Sequence, residues 1–246
     1  MSVMQTQKTA PLQFYRSSPA PCPYLPGRIE RKLFARLGGG GSVAVNSVLS
    51  HAGFRRSHDI IYKPACPGCM ACVAVRVPVN QFEPQGSLER IRRRGAHLTL
   101  ETLPPEPTRA QYDLFMEYET RRHADSDMAR MSYDDYCSML TEGEADTHLL
   151  TLAEGDKLMG AMLADRLADG WSAVYSFYAT TPEADRLSLG SFLILRLIEE
   201  AKNASLPYVY LGYWVQNSRK MDYKSRFRPL EMLGPNGWQL FTPSDT

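Results

Sequence analysis

The sequence lacks the long hydrophobic stretches of a membrane protein. No apolar run of about 18 residues, the length that a membrane-spanning helix needs, occurs among the 246 residues. The polar start MSVMQTQKTAPLQ has no apolar core of the kind that a secretion signal requires. We therefore expect a cytoplasmic protein that makes no membrane contacts and keeps its thiols reduced.

Net charge is also small. The 28 Lys and Arg residues nearly balance the 27 Asp and Glu residues, so the formal charge is only +1. The net charge therefore does not indicate a nucleic-acid-binding protein, but local clusters of basic residues can still bind an anionic partner. Two such clusters are present, at Arg90 to Arg94 and in RKMDYKSRFR at residues 219–228. No Ser or Cys catalytic triad is recognisable in the chain.

Three of the five cysteines are evenly spaced in PACPGCMAC, residues 64–72. Thiols two residues apart on a turn rich in Pro and Gly are typical ligands of zinc or of an iron–sulfur cluster. A closed site needs a fourth ligand, and Cys22 in the proline-rich loop PCPYLPG is the natural candidate. The predicted metal ligands are Cys22, Cys66, Cys69 and Cys72. Buried thiols without a metal are the alternative, and the identity of the metal stays open.

The first part of the chain is predicted to contain both helices and strands. Proline-rich residues 1–27 predict an extended segment, and apolar spacing predicts a helix from Arg28 to Leu37. VAVNSVLSHAGF predicts a second helix, whereas DIIYKP and the alternating CVAVRVPV predict strands. Three prolines in LETLPPEPTRA favour a linker near residue 104. The predicted domains are a cysteine-containing α/β module at residues 1–104 and a second domain at residues 105–246.

The second part begins with two predicted helices, AQYDLFMEYETRRH and SYDDYCSML, the latter capped by Ser132. HLLTLAE, KLMGAMLADRL and GWSAVYSFYAT then predict strands joined by tight turns. A helix from Leu189 to Lys202 precedes the strand PYVYLGYWV. This order is that of a GNAT acyltransferase core, so we expect an α+β fold with a GNAT-like domain. Arg186, Gly190 and Ser191 would lie at the helix start, where backbone N–H groups bind phosphate.

Several longer sequence segments are specific enough to indicate a protein family. CPYLPGRIERKLFARL, GFRRSHDIIYKPACPGCMACVAVRVPVNQF and LPYVYLGYWVQNSRKMDYKSRFRPLE resemble the bacterial aspartate/glutamate leucyltransferases, which are similar to eukaryotic arginyl-tRNA–protein transferases. The resemblance runs from about residue 14 to residue 241. It implies that leucine is transferred from leucyl-tRNA to proteins that begin with Asp or Glu, which marks them for proteolysis through an N-degron. Arginine as the donor amino acid stays open.

The activity implied by this resemblance needs no cofactor for its chemistry. An aminoacyl ester is already activated, so the enzyme has to orient the reactants, keep the amine neutral and stabilise an oxyanion. Tyr175 and Tyr178 are the expected proton relays or oxyanion donors, and Asp165 is the expected base.

Binding of the two substrates is assigned to further residues. The candidates for the acidic acceptor are Arg55, Arg56, Ser57 and Tyr213. The candidates for tRNA are Arg186, Gly190, Lys220, Lys224, Arg226 and Arg228. Two other functions stay open, a GNAT-type acetyltransferase using coenzyme A and a non-catalytic, metal-stabilised RNA-binding module.

Overall fold

The computed structural model of the protein describes residues 12–39, 41–218 and 220–241. Residues 1–11 of the predicted extended segment, Gly40 and Arg219 of the basic segment lie outside the described residues. The helices are α1 (Ser42–His51), α2 (Gly86–Arg94), α3 (Arg109–Arg122), α4 (Tyr133–Thr141), α5 (Pro182–Leu187) and α6 (Leu189–Asn203). Short 3₁₀ helices cover Val79–Gln81, Asp127–Arg130 and Asp222–Arg226. No helix in this part of the chain is both long and apolar enough to cross a membrane.

Strands and helices together confirm the predicted α+β class. The strands before residue 104 are β1 (Tyr15–Arg16), β2 (Ala20–Pro21), β3 (Ile29–Glu30), β4 (Lys32–Arg36), β5 (Arg55–Ser57), β6 (Ile60–Pro64), β7 (Cys72–Pro78) and β8 (Thr99–Leu103). The later strands are β9 (Thr147–Glu154), β10 (Lys157–Leu167), β11 (Gly170–Tyr178), β12 (Tyr208–Val215), β13 (Glu231–Gly234) and β14 (Gly237–Leu240).

The main structural element is an eight-stranded sheet with the order β14-β13-β7-β12-β11-β10-β9-β8. Both predicted hairpins, β9–β10 and β10–β11, are confirmed as antiparallel pairs. Side chains alternate between the two faces of a strand, and two hydrophobic clusters cover these faces. One contains Phe192 and Leu193 of α6, and the other contains Phe115 of α3. The predicted order of three strands, a helix and a further strand is therefore present.

A smaller sheet, β1-β4-β6-β5, is built from the first part of the chain. The predicted helix from Arg28 to Leu37 is wrong, because β3 and β4 occupy this segment. β4 pairs with β1 on one side and with β6 on the other, so backbone pairing with these strands outweighs the helix-like spacing of its apolar residues. The predicted helix in VAVNSVLSHAGF is confirmed as α1, and DIIYKP and CVAVRVPV contain β6 and β7.

The large sheet combines strands from both sides of residue 104. β7 lies between β12 and β13, and β8 forms the opposite end of the sheet next to β9. The boundary near residue 104 stays a prediction about the sequence.

The parallel pair β11–β12 opens partway along its length. Gly170 to Ser172 pair with Tyr208 to Tyr210, and the described residues show no pairing of these two strands beyond that point. Each strand also has a register shift there, at Val174 in β11 and between Tyr210 and Gly212 in β12. Such bulges bend strands and re-aim side chains. The unpaired ends of β11 and β12 therefore leave a gap, which we call the strand cleft.

Candidate active site

Arg55 of β5 enters the strand cleft. Its Nη2 donates a hydrogen bond to the carbonyl oxygen of Val174, where β11 has no parallel partner strand. Its guanidinium also lies against Gly212 of β12, whose φ is +74°. A Cβ at this position would overlap the guanidinium, and the positive φ independently favours glycine. The predicted acceptor-binding residue Arg55 is thus held between the two diverging strands.

Lys224 is only 3% exposed, and it lies close enough to Arg55 for the charge of Arg55 to act on it. Its Nζ donates a 2.6 Å hydrogen bond to the carbonyl oxygen of Tyr213. Burial, and secondarily the positive charge of Arg55, hold the pKa of Lys224 well below its usual value. This buried position does not suit the tRNA-phosphate role predicted for Lys224, because the phosphates of a bound tRNA contact side chains on the protein surface.

Tyr178 lies at the end of β11 next to the first turn of α6. Its ring centroid is 4.8 Å from that of Tyr118. A Cβ at Gly190 would lie 2.8 Å from Cε1 and 3.0 Å from Oη of Tyr178. Two predicted residues, Tyr178 and Gly190, are therefore in direct contact, and a phenolic hydroxyl lies at the N-terminal end of α6.

Glu119 of α3 is a candidate that the sequence analysis did not select. It is fully buried, accepts a hydrogen bond from the hydroxyl of Tyr175, and accepts another from Ser126 Oγ at 3.0 Å. Burial raises the pKa of Tyr175, and the hydrogen bond to Glu119 raises it further. In the residues that the structure describes, Glu119 has no ion-pair partner. A usable signal was its position, because this carboxylate follows the apolar stripe of Tyr112 and Phe115.

Asp165 and Arg56 pair with each other instead of facing the strand cleft. Arg56 Nε and Nη2 bind the Asp165 carboxylate at 2.6 and 2.7 Å, and Asp165 is 0% exposed. The same carboxylate accepts hydrogen bonds from Asn46 at 3.1 Å and from Thr147 at 2.8 Å. With its oxygens used in this way, Asp165 is not placed to act as the predicted base. Arg56 is likewise not free to bind an acceptor.

Ser57 and Tyr213 also have local partners. Ser57 Oγ lies 3.4 Å from Nδ1 of His58. The hydroxyl of Tyr213 lies 2.9 Å from the Gly53 carbonyl and 3.0 Å from the Tyr62 carbonyl. These contacts tie β12 to the smaller sheet, so Tyr213 supports the wall of the cleft on which Arg55 and Lys224 lie.

Several of the predicted tRNA-binding residues surround the start of α6. Arg226 Nη2 donates to Ser191 Oγ at 3.2 Å, and Arg94 Nη1 donates to the carbonyl of Arg186 at 3.2 Å. Lys220 and Arg228 are exposed farther along the basic segment. Arg92 and Arg93, in contrast, both bind Glu89 of their own helix. The exposed positive charge around the start of α6 therefore comes from Arg94, Arg186 and Arg226.

The cysteine segment connects β6 of the small sheet to β7 of the large sheet. All five thiols of the chain lie in its described part and are free. Burial raises the pKa of Cys72 to about 11, and the nearby thiols of Cys22, Cys66 and Cys69 contribute. Across the described residues, however, no three His, Cys, Asp or Glu side chains are arranged to hold a metal ion. The four thiols suit a metal by their chemistry but not in this arrangement, so no reaction step is assigned to a metal.

Solved structures give only distant matches. The structure of L-PGS from Bacillus licheniformis has a TM-score of 0.49 at 14% identity, covering 75% of this chain and 62% of that one. FemX has a TM-score of 0.45 at 8% identity, covering 80% of this chain and 67% of that one. Both likenesses are therefore distant in fold as well as in sequence.

Sequence comparisons are decisive. The family models described as the N terminus and C terminus of arginine-tRNA-protein transferase match residues 20–90 and 110–234. A protein of Paramagnetospirillum magneticum, named aspartate/glutamate leucyltransferase, is 47% identical over 94% of this chain and 95% of its own. A protein of the same name from Xanthobacter autotrophicus is 48% identical over 92% of this chain and 95% of its own. The chain therefore belongs to the arginine-tRNA–protein transferase family of enzymes, together with relatives named aspartate/glutamate leucyltransferases.

Proposed function

We propose that the protein transfers leucine from leucyl-tRNA to the N-terminal amine of proteins that begin with Asp or Glu. The observation that carries this proposal is the 47% identity, over nearly the whole chain, to a relative named for this activity. The cleft supports it, because Arg55 offers a guanidinium to an acidic acceptor and the described residues give it no carboxylate partner. The products would be substrates for N-degron proteolysis, and an enzyme that uses charged tRNA would work in the cytoplasm.

The proposed reaction is aminolysis of an ester. The acceptor nitrogen forms a bond to the leucyl carbonyl carbon, the bond to the terminal ribose oxygen breaks, and one amine proton ends on that oxygen. An α-amine has a pKa of about 7.7–8.0, so a substantial fraction is neutral at pH 7. Correct orientation of the two substrates contributes up to about 7–11 kcal/mol to lowering the barrier.

Tyr175 and Glu119 are arranged to move the amine proton. The Tyr175 hydroxyl donates to Glu119, so its oxygen has lone pairs free to accept a proton while Glu119 takes the phenolic proton. The reverse transfer would deliver a proton to the leaving ribose oxygen. Tyr178, at the start of α6, is the proposed donor to the oxyanion.

A transfer assay tests the proposal. Labelled leucyl-tRNA is incubated with peptides that differ only in beginning with Asp or Asn, and peptide-bound leucine is measured. We expect transfer to the Asp peptide and at least about 100-fold less to the Asn peptide, because a neutral amide cannot form the charge-assisted bond that a carboxylate forms. Equal rates would contradict charge recognition. Acetyl transfer from acetyl-coenzyme A, or tRNA binding without any transfer, would instead support one of the two other functions.

Arg226 is proposed to contact the tRNA backbone near the start of α6. Replacing it with Ala should weaken tRNA binding and reduce the slope of log K against log salt by roughly 0.7–0.9, the value for one phosphate contact. Binding is measured by titration of labelled tRNA at several salt concentrations. Arg36, which is exposed and pairs with Asp59 in the small sheet, gives a matched control. An unchanged slope in Arg226→Ala would leave Arg226 an ordinary surface residue.

The four clustered thiols are proposed to bind zinc or an iron–sulfur cluster once the Cys66–Cys72 loop draws them together. We expect protein purified without oxygen to contain about one metal centre per chain, and Cys69→Ser to lose it. Metal and acid-labile sulfide are measured in both proteins. Cys137, on α4, provides a control cysteine whose replacement should leave the content unchanged. Wild-type protein without metal or sulfide would contradict this prediction.

A further inference from the structure

The strand cleft contains two cationic side chains and no described acidic partner for them. Lys224 is 3% exposed and Arg55 is half-buried, and neither forms an ion pair with any carboxylate in the described parts of the chain. An ammonium has three N–H donors, and among the described residues Lys224 has one hydrogen-bond partner, the Tyr213 carbonyl. Burial without an anion disfavours the charged form of Lys224, and a bound carboxylate would favour that form again, so a site of this kind is a candidate for binding one.

We propose that Lys224 and Arg55 together form the slot that binds the acidic side chain of the acceptor, with Lys224 as a specificity-determining residue. This inference rests on the proposed function, and it gives Lys224 a role different from tRNA binding. A side-chain carboxylate has two oxygens, so one can accept from the guanidinium while the other accepts from the ammonium. A neutral amide at the same place would direct N–H donors at two cations.

The surroundings of the slot favour a small carboxylate over a tRNA phosphate. The guanidinium lies against Gly212, and the ammonium is held by the backbone of the next residue, so both cations sit on the inner wall of β12. Tyr213 packs against Tyr62, with ring centroids 6.2 Å apart, and closes the side towards the small sheet. The cavity lined by Arg55, Gly212 and Tyr213 is only about 10 Å³, so an acceptor carboxylate would enter it only as these walls move apart. A phosphate of the tRNA backbone is bulkier and needs exposed cations.

The test compares Lys224→Met with wild type on Asp- and Asn-initiated peptides. Met keeps the apolar stem and removes the charge, so we expect kcat/KM for the Asp peptide to fall by about 10²–10³-fold. The value for the Asn peptide should change by less than about threefold, so the preference for Asp is lost. Lys157→Met removes an exposed lysine from β10 and should behave as wild type.

A second variant separates binding from folding. Lys224→Gln removes the charge and keeps N–H donors on a side chain one atom shorter than Lys, and it should show the same loss of preference in protein whose melting curve shows that it is folded. Equal losses on both peptides would overturn the proposal in favour of a structural lysine. Weaker tRNA binding with an unchanged preference for Asp would overturn it in favour of a phosphate contact.

Equilibrium binding of the two peptides without tRNA keeps this inference distinct from the proposed transfer. Wild type should bind the labelled Asp peptide at least tenfold more tightly than the Asn peptide, and Lys224→Gln should bind both equally. This binding result does not depend on leucine transfer. If the peptides bind as expected but no leucine is transferred, the proposed function is refuted and the slot is not. Equal binding of both peptides by wild type, in an enzyme that transfers leucine, would refute the slot alone.

Discussion

Replacing Asp165 with Ala is expected to destabilise the protein by about 3–5 kcal/mol, the usual effect of removing one partner of a buried ion pair. The change leaves the Arg56 guanidinium buried without its carboxylate, and it removes an acceptor from Asn46 and Thr147. For a chain of this size the melting temperature should fall by about 6–20 °C. Denaturant unfolding followed by circular dichroism measures the free energy directly.

Two further variants decide between a structural and a catalytic role for Asp165. The double variant Arg56→Met/Asp165→Leu removes both charges and should recover part of the lost stability, because an apolar pair avoids the desolvation penalty while Asn46 and Thr147 still lack their acceptor. Asp165→Asn should lower the free energy of unfolding, whereas the kcat of the enzyme that remains folded should change little. A stable Asp165→Asn protein that has lost transfer would instead restore Asp165 as the base.

Replacing Glu119 with Gln is expected to reduce kcat for leucine transfer by about 10²–10⁴-fold, the range that general acid–base groups contribute. Gln matches Glu in shape, and its amide oxygen still accepts the hydrogen bond from Tyr175, so the fold should be retained. Only the ability to take the phenolic proton is lost. Single-turnover transfer from leucyl-tRNA measures the chemical step, and Tyr175→Phe should give a loss of similar size.

Glu117 provides the matched control on the same helix. Its side chain is 43% exposed and contacts Arg121 and Thr180, so Glu117→Gln should transfer leucine at the wild-type rate. The pH profile adds a second criterion, because removing a proton acceptor should change the profile of kcat as well as its maximum. If Glu119→Gln melts at a lower temperature yet keeps its kcat, Glu119 is a structural carboxylate.

Local patterns predicted much of the fold. The hairpins β9–β10 and β10–β11 follow from alternating strands joined by Gly- and Asp-containing turns, and α4 begins at Tyr133 directly after its expected cap, Ser132. The sequence predicts a helix in place of β4, because the apolar residues of this segment fit helical spacing as well as strand spacing. Its neighbours in the sheet, β1 and β6, decide between the two, and those neighbours are distant in sequence.

The sequence predicted individual residues of the candidate site, but it did not predict which of them contact each other. Residue type alone points to Arg55, Tyr175, Tyr178 and Gly190. In the structure Arg55 lies in the strand cleft, Tyr178 contacts Gly190 and Tyr175 binds Glu119. The adjacent arginines Arg55 and Arg56 looked equivalent, but Arg56 meets a carboxylate 109 residues away and Arg55 does not. Lys224 looked like part of a solvated basic run. Its burial results from the packing of a short helix against β12, which composition does not reveal.

The position of β7 has a consequence for how relatives of this protein can be recombined. β7 comes from the first third of the chain, yet it hydrogen-bonds to β12 and β13 from the last third. Chimaeras joined near residue 104 would place one parent's β7 between two strands of the other parent. Their partner residues on the shared faces would then be mismatched, Val77 with Val209 for example. A chimaera that exchanges β7 together with the segment from β12 to β14 keeps these pairs within one parent and leaves only the short parallel pair β11–β12 between the two parents.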